Sequence, residues 1–357
     1  MATIAENPQT QSTESAAAWR LVGIVLLAVR FTQGWIFWGG GSRRFIYAPS
    51  KLDPHAASWM ANKFQTAMPG ALLGMDKVVD YLLHHFVLLY TGVIVFSAAE
   101  LIFGLFLIFG FMTRLSALVT IGISFVLMLL FGWQGATCID EWTMASANFA
   151  MGVALFIGGA AAFSMDSWLM RRRPALAGRG WFQWLGSGPW HNARVRRLGI
   201  LGVIVTILFV VLTYNDFRGS VFTPFHGGPV SPAKHHISLS QGILKSGGTV
   251  TFTAYLDAGT PAEPSNIVQA ELIGADGKVV EGWSGASLAA LPKSAYANDY
   301  AYNKFGPGYA GITAKVGARA TISLPPARPG LTLAPGRYAL VLHSVNGHSF
   351  MLRLQLP

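Results

Sequence analysis

The chain has 357 residues, 52% of them hydrophobic and 12% charged, with a mean hydropathy of +0.44, which excludes an ordinary soluble domain and points to a membrane protein. Its single cysteine, Cys138, excludes an intramolecular disulfide and any Cys-rich zinc, iron–sulfur or c-type haem site, and without a GxGxxG or GxxxxGK[ST] string nothing suggests a bound nucleotide. The net charge of +10 is assigned to basic loops that set membrane topology, and nucleic acid is excluded as a partner.

Residues 1–17 are small and polar and read as a disordered tail; they lack the basic start of a signal peptide. Five segments approach the roughly 20 residues that cross a bilayer: 18–40, 83–111, 114–133, 143–164 and 197–214. The first four carry Gly, Ser, Thr and charged residues, as helices packed on one another do. The last, LGILGVIVTILFVVLTY, is uniformly apolar. The expected order is a four-helix transmembrane bundle over 18–165, a connection over 166–197 and an anchor over 198–214. Past Tyr214 the pattern changes to the two-residue period of strands, as in GTVTFTAYLDAG and GRYALVLHSVNGHSFMLRLQL. Asp276-Gly277 and Asn346-Gly347 stand between such runs as hairpin signals. Residues 215–357 are therefore expected to form an all-β, immunoglobulin-like sandwich.

Seven arginines (Arg171, Arg172, Arg173, Arg179, Arg194, Arg196 and Arg197) face one acid, Asp166, between the fourth and fifth apolar segments. The positive-inside rule makes that connection cytoplasmic. Counting outward then puts the Cys138 loop, the 41–82 connection and the β-domain on the extracytoplasmic side of a multi-pass inner-membrane protein, periplasmic in a Gram-negative cell. The 41–82 connection carries Arg43, Arg44, Lys51, Lys63 and Lys77 against Asp53, Asp76 and Asp80. Either these cations hold an anionic ligand on the outer face, or the connection is long enough to translocate regardless of charge.

Cys138 lies in GWQGATCIDEW, between two apolar runs and directly before Asp140 and Glu141. It is either a small buried residue or a reactive thiol favoured by nearby cations; the two acids would raise its pKa unless they are paired. Arg30 and Glu100 stand inside apolar runs, where a charge needs a partner. They pair with each other as structural glue, or they belong to a quinone or proton site. Trp35, Trp38, Trp133 and Trp142 belong to an interfacial aromatic belt or wall a pocket for a flat ring. His84 and His85 open the second segment, either idle or passing protons.

The stretches RFTQGWIFWGGGSRRFIY, ELIFGLFLIFGFMTR and GWQGATCIDEW together resemble the DoxD family, a branch of the four-helix DoxX-like membrane proteins. Glu100, Gly104, Gly110, Thr113 and Arg114 carry the part shared with the larger group. PFHGGPVSPAKHH and the final hairpin resemble the DoxA family. The two families are the subunits of thiosulfate:quinone oxidoreductase, here in one chain. The resemblance implies oxidation of two thiosulfates to tetrathionate with reduction of membrane quinone; the sequence offers no flavin, haem or metal motif, so no tightly bound cofactor is expected. Its partners are thiosulfate, quinone and the bilayer, with a second copy of the chain as a further candidate. On that footing Arg43, Arg44, Lys51 and Lys63 are candidates for thiosulfate, and Arg30, Trp35, Trp38, Glu100 and Trp142 for quinone. Cys138 would carry a thiosulfate adduct, with Asp140, Glu141 or His84 relaying protons. The rival functions are a non-enzymatic sulfur-oxyanion carrier and an assembly subunit for another oxidoreductase.

Overall fold

The computed structural model describes residues 8–47, 49–135, 140–219, 222, 224, 230–261 and 263–357. Its helices are α1 (Pro8–Val25), α2 (Leu27–Ser42), α3 (Met60–Ala67), α4 (Met75–His84), α5 (Phe86–Phe109), α6 (Thr113–Phe131), α7 (Glu141–Gly158), α8 (Met165–Arg172), α9 (Gly180–Leu185), α10 (Asn192–Phe217) and α11 (Gly285–Ala289). Its strands are β1 (His236–Leu244), β2 (Val250–Ala258), β3 (Ser265–Gly274), β4 (Val279–Ser284), β5 (Tyr296–Asn298), β6 (Gly306–Gly308), β7 (Gly311–Ala314), β8 (Arg319–Leu324), β9 (Gly336–Ser344) and β10 (Ser349–Leu356). They form two compact units, one of residues 1–56, 90–128 and 143–214, the other of 57–89, 129–142 and 215–357.

In the first unit, α5, α6 and α10 are long and apolar enough to cross a membrane, and the bent pair of α1 and α2 (44° at Leu26) adds a fourth candidate span. The expected span at 143–164 corresponds to α7, which stops at Gly158 and falls short of that apolarity. The reason is its inner face, where Ser146 and Asn148 are buried. Gln33 of α2 reaches the same face and donates to the Asn148 carbonyl at 2.7 Å.

The backbones of α2 and α5 touch. A Cβ on Gly104 would lie 2.3 Å from the Trp38 nitrogen, and one on Gly41 2.6 Å from the Leu101 nitrogen. Only glycine permits that approach. The chain then turns at Gly110, whose φ of +64° is left-handed. Asp166, fully buried, closes the start of α6 by accepting from Met112 N (2.9 Å), Thr113 N (3.1 Å), Thr113 Oγ1 (2.9 Å) and Ser187 Oγ (2.7 Å). Burial pushes its carboxyl pKa up, and these hydrogen bonds pull it back. Arg114 follows; its guanidinium donates to the carbonyls of Phe156 (2.9 Å), Gln183 (2.6 Å) and Gly188 (2.7 Å) and lies 3.8 Å from the Trp190 ring centre. The Gly104, Gly110, Thr113 and Arg114 spacing is thus a packing device.

The second unit is a two-sheet sandwich. One sheet runs β1-β2-β8-β5 and the other β10-β9-β3-β7-β6, with β4 on β3. Alternate residues of β2 (Val250, Phe252, Ala254, Leu256) enter the core, as period-two patterning requires. The two hairpin signals turn where expected, at Gly277 (φ +79°) and Gly347 (φ +82°). Segments 57–89 and 129–142 fold with this sandwich rather than apart from it. Gln65, fully buried, donates to the carbonyls of Asn303 (2.9 Å) and Gly317 (2.8 Å) and accepts from Asn303 N (2.8 Å). Trp133 is not part of an interfacial belt. It is 2% exposed and its indole N–H donates to the Ala67 carbonyl at 2.9 Å.

Replacing Gly104 with Ala should lower stability in detergent by about 1–3 kcal/mol, because a methyl group forces α2 and α5 apart. Gly122, whose added Cβ would meet nothing within 4 Å, is the control: Gly122→Ala should be neutral or stabilising by about 0.5–1 kcal/mol. Thermal unfolding curves that coincide for the two variants would contradict the close crossing.

Candidate functional site

In the helical unit, α2 passes through Gly39, Gly40 and Gly41 into a π-helical turn, Arg43–Tyr47. Single π turns recur at functional sites because they re-aim side chains. Arg44 Nη1 donates to the Glu100 carboxylate of α5, and both side chains are largely buried, 13% and 7% exposed. A Cβ on Gly40 would lie 3.1 Å from Glu100 Oε2, so the glycine leaves the carboxylate uncrowded. Arg43, the preceding residue, is exposed. Lys51 is half-buried in a 3₁₀ turn, Pro49–Leu52.

Arg30 and Glu100 do not pair. Arg30, 2% exposed, spends its charge on the carbonyls of Phe163 (2.7 Å) and Ala162 (3.4 Å). It lies 14 positions before Arg44, about 20 Å along a helix, and each end of α2 thus has its own arginine. Between them runs a chain of rings: Phe31 on Trp35 (5.7 Å), Trp35 beside Trp38 (5.0 Å) and Trp38 edge-on to Tyr47 (6.4 Å). Trp35 is 53% exposed, offering a π face on the outside of the helix.

In the second unit, Cys138 lies outside the described residues, which include its flanks Gly135 and Asp140. Arg218, 6% exposed, bridges them: Nη1 donates to the Gly135 carbonyl at 2.5 Å and Nη2 to the Asp140 carboxylate. Glu141 is met by Lys63 Nζ at 2.5 Å, and Lys63 also lies 5.0 Å from the Phe131 ring centre. Both acids that follow Cys138 are therefore neutralised, by Arg218 and by Lys63. Trp142 is half-buried.

His84 closes α4. Its Nδ1 lies 2.8 Å from the Asp80 carbonyl, so that nitrogen carries the proton and Nε2 remains the basic one. The Asp80 carboxylate collects the Tyr300 hydroxyl, Arg319 (3.7 Å) and His84 (3.9 Å). Burial, and then the hydrogen bond to Asp80, push the Tyr300 pKa up, so the phenol stays a donor. A cavity of 420 Å³ opens here between Asp76, Lys77, Asp80, Tyr255 and Arg319. Two acids against two bases give it no net charge, and so no electrostatic preference for a dianion.

Two family models match the chain. Residues 25–188 match the TQO small subunit DoxD, and residues 217–352 match the TQO small subunit DoxA, TQO being thiosulfate:quinone oxidoreductase. The chain is a DoxD–DoxA fusion. Arg218 and Asn303 belong to the DoxA part, while Gly135, Asp140 and Gln65 belong to the DoxD part. Sequence reading passed over Arg218 because it follows an apolar helix like any flanking cation. Its value lies in a contact 78 residues away, which no local pattern carries.

Removing one partner of a buried ion pair strands the other. Arg218→Met should therefore destabilise the fusion by about 3–5 kcal/mol, and Asp140→Asn added to it should restore a large part. Protease resistance of the full chain across this double-mutant cycle checks it; strictly additive losses would show that the pair contributes no coupling.

Proposed function

We propose that this fusion oxidises two thiosulfates to tetrathionate and passes both electrons to membrane quinone. The observation that carries this reading is the buried Arg44–Glu100 pair at the end of the Phe31–Trp35–Trp38–Tyr47 ring chain. An ionised pair inside an apolar helix pair is a functional feature by default, and a ring chain facing lipid suits a flat, oily acceptor. Quinone docks on Trp35 and Trp38, Arg44 donates to its carbonyl oxygen, and the Glu100 carboxylate takes up a proton from water and passes it to the reduced ring. Arg30, bonded to carbonyls at the other end of α2, holds that end and stands apart from the chemistry.

Thiosulfate is a dianion that stays in water, and Arg43, exposed beside the pair, is its first contact. Lys51 and Lys63 add positive charge. In the sulfur half-reaction, the Cys138 thiolate and one thiosulfate join as Cys–S–S–SO₃⁻ and release two electrons, which quinone takes up with two protons. A second thiosulfate attacks the sulfane sulfur of that adduct, forming the new S–S bond of tetrathionate and returning the thiolate. Glu141, released from Lys63, or His84 through Nε2 accepts and passes protons; Asp140, held by Arg218, keeps the flank in place. The Cys138 loop and the DoxA part face the extracytoplasmic side, and the 166–197 connection faces the cytoplasm.

The deciding assay is thiosulfate-dependent reduction of a quinone analogue by the purified chain. Cys138→Ser should abolish tetrathionate formation while the protein still folds, and a thiosulfate-derived mass should appear on the wild-type Cys138 peptide. Near-normal turnover of the Ser variant would remove the covalent step.

The two neighbouring arginines should separate by kinetics. Arg43→Gln should raise the thiosulfate KM, through loss of a charge-assisted contact of about 1.5–3 kcal/mol, and blunt its salt dependence. Arg44→Gln should instead act on the quinone step and on stability, because it strands Glu100. Identical kinetic signatures for the two would undo this division of roles.

A further inference from the structure

The connection between α7 and α10 carries more than a topology signal. It begins with Phe163, 74% exposed, and presents Trp168, Trp181 and Trp184 at 47%, 50% and 43% exposure. Interleaved with them are Arg171, Arg172, Arg173, Arg179, Arg194, Arg196 and Arg197, every one exposed. The segment's one acid, Asp166, is fully buried and occupied by Thr113 and Ser187. The exposed surface of this segment therefore bears positive charge with no carboxylate to offset it.

Its height relative to the bilayer follows from what holds it. Asp166 N donates to the Gly110 carbonyl at 3.0 Å, which fixes α8 against the turn between α5 and α6. Ser187 Oγ accepts from Ala160 N at 2.8 Å, just past the end of α7. Arg114 at the start of α6 binds the Gln183 carbonyl of α9 at 2.6 Å. α8 and α9 are thereby docked at the ends of membrane-crossing helices, where hydrocarbon gives way to headgroups. A topology signal alone would be satisfied by freely hydrated side chains. Here Arg172 lies 5.4 Å from the Trp168 ring and Arg194 5.5 Å from the Trp184 ring. Trp184 in turn meets Trp190 at 5.2 Å, which carries Arg114 on its other contact at 3.8 Å. Stacking holds guanidinium groups at the level of the indoles, and indoles settle at the headgroup level.

We infer that residues 163–197 form an in-plane surface that grips the phosphates of anionic lipid headgroups, with the exposed tryptophans seated in the interface and the arginines on the phosphate oxygens. Guanidinium forks match phosphate geometry, and each basic residue near an anionic leaflet contributes enough for roughly fivefold in affinity. The occupant is a lipid rather than a soluble anion because the apolar Phe163 and the three indoles need a partner as much as the cations do.

The test uses the full chain in a neutral detergent, titrated with phosphatidylglycerol or phosphatidylcholine and read by native mass spectrometry. The wild type should retain phosphatidylglycerol in preference to phosphatidylcholine by tenfold or more, with the preference shrinking as ionic strength rises. Arg171→Gln/Arg172→Gln/Arg173→Gln/Arg179→Gln should lose most of that preference while its thermal unfolding stays close to wild type, since none of these four holds the fold. Equal retention of both lipids by the wild type, or a preference indifferent to salt, overturns the proposal, and both readings are independent of the variant's folding. Displacement of phosphatidylglycerol by an equal concentration of inorganic phosphate would also overturn it, making the surface a soluble-anion site. In liposomes with brominated acyl chains, tryptophan quenching should fall when Trp168, Trp181 and Trp184 are changed to Phe. Unchanged quenching would show that the segment stands clear of the bilayer.

Discussion

A guanidinium group taken out of water must be met inside the protein, and three buried arginines and the largely buried Arg44 answer that demand in four ways. Arg30 binds two carbonyl oxygens. Arg114 binds three and is covered by an indole. Arg44 takes a carboxylate, and Arg218 takes a carboxylate and a carbonyl together. The distinction matters for function. An arginine bonded to backbone carbonyls is locked, because its partners cannot titrate. An arginine bonded to a carboxylate has a partner that can gain a proton, so on the proposed reading Arg44–Glu100 is the adjustable element and Arg30 and Arg114 are rivets. The same logic explains why Arg30 and Glu100 are not a pair, although both are charges inside apolar runs.

Much of the architecture was legible because it rests on short periods. Long apolar runs announced α5, α6 and α10, and alternation with Asp276-Gly277 and Asn346-Gly347 announced the sheet and two of its turns. What escaped was long-range. Gln65 folds against Gly317, 252 positions away, and nothing in the composition of 57–89 or 129–142 says that those segments join the sandwich. Trp133 looked interfacial by its place at the end of a run, yet tertiary packing buries it on the Ala67 carbonyl. The run 143–164 reads as a span like the others, yet α7 falls short of that apolarity because its inner face is amide and hydroxyl. Its polarity serves packing against Gln33 rather than water.

The shared motif divides in the same way. Glu100 is the motif's one carboxylate, and it meets Arg44. Gly104 allows a helix crossing, Gly110 a left-handed turn, Thr113 a carboxylate cap and Arg114 a three-carbonyl clasp. Spacing along the chain shows that these residues belong together but not which one the proposed chemistry would use, because helix contacts and active groups share the same three- and four-residue intervals. The separation emerged from the hydrogen-bond partners of each.

The acids beside Cys138 bear on the proposed sulfur chemistry most directly. A thiolate next to two free carboxylates would be disfavoured, and thiosulfate would be repelled along with it. Arg218 and Lys63 cancel those charges differently. Arg218 is buried and bonded to both Gly135 and Asp140, so its cancellation is fixed and insensitive to salt. Lys63 is 45% exposed at its side chain, so its hold on Glu141 is screened and exchangeable. On the proposed reading an arriving dianion competes with Glu141 for Lys63. Fixed neutralisation of Asp140 and exchangeable neutralisation of Glu141 would thus tie substrate arrival to release of the Glu141 carboxylate without any moving domain.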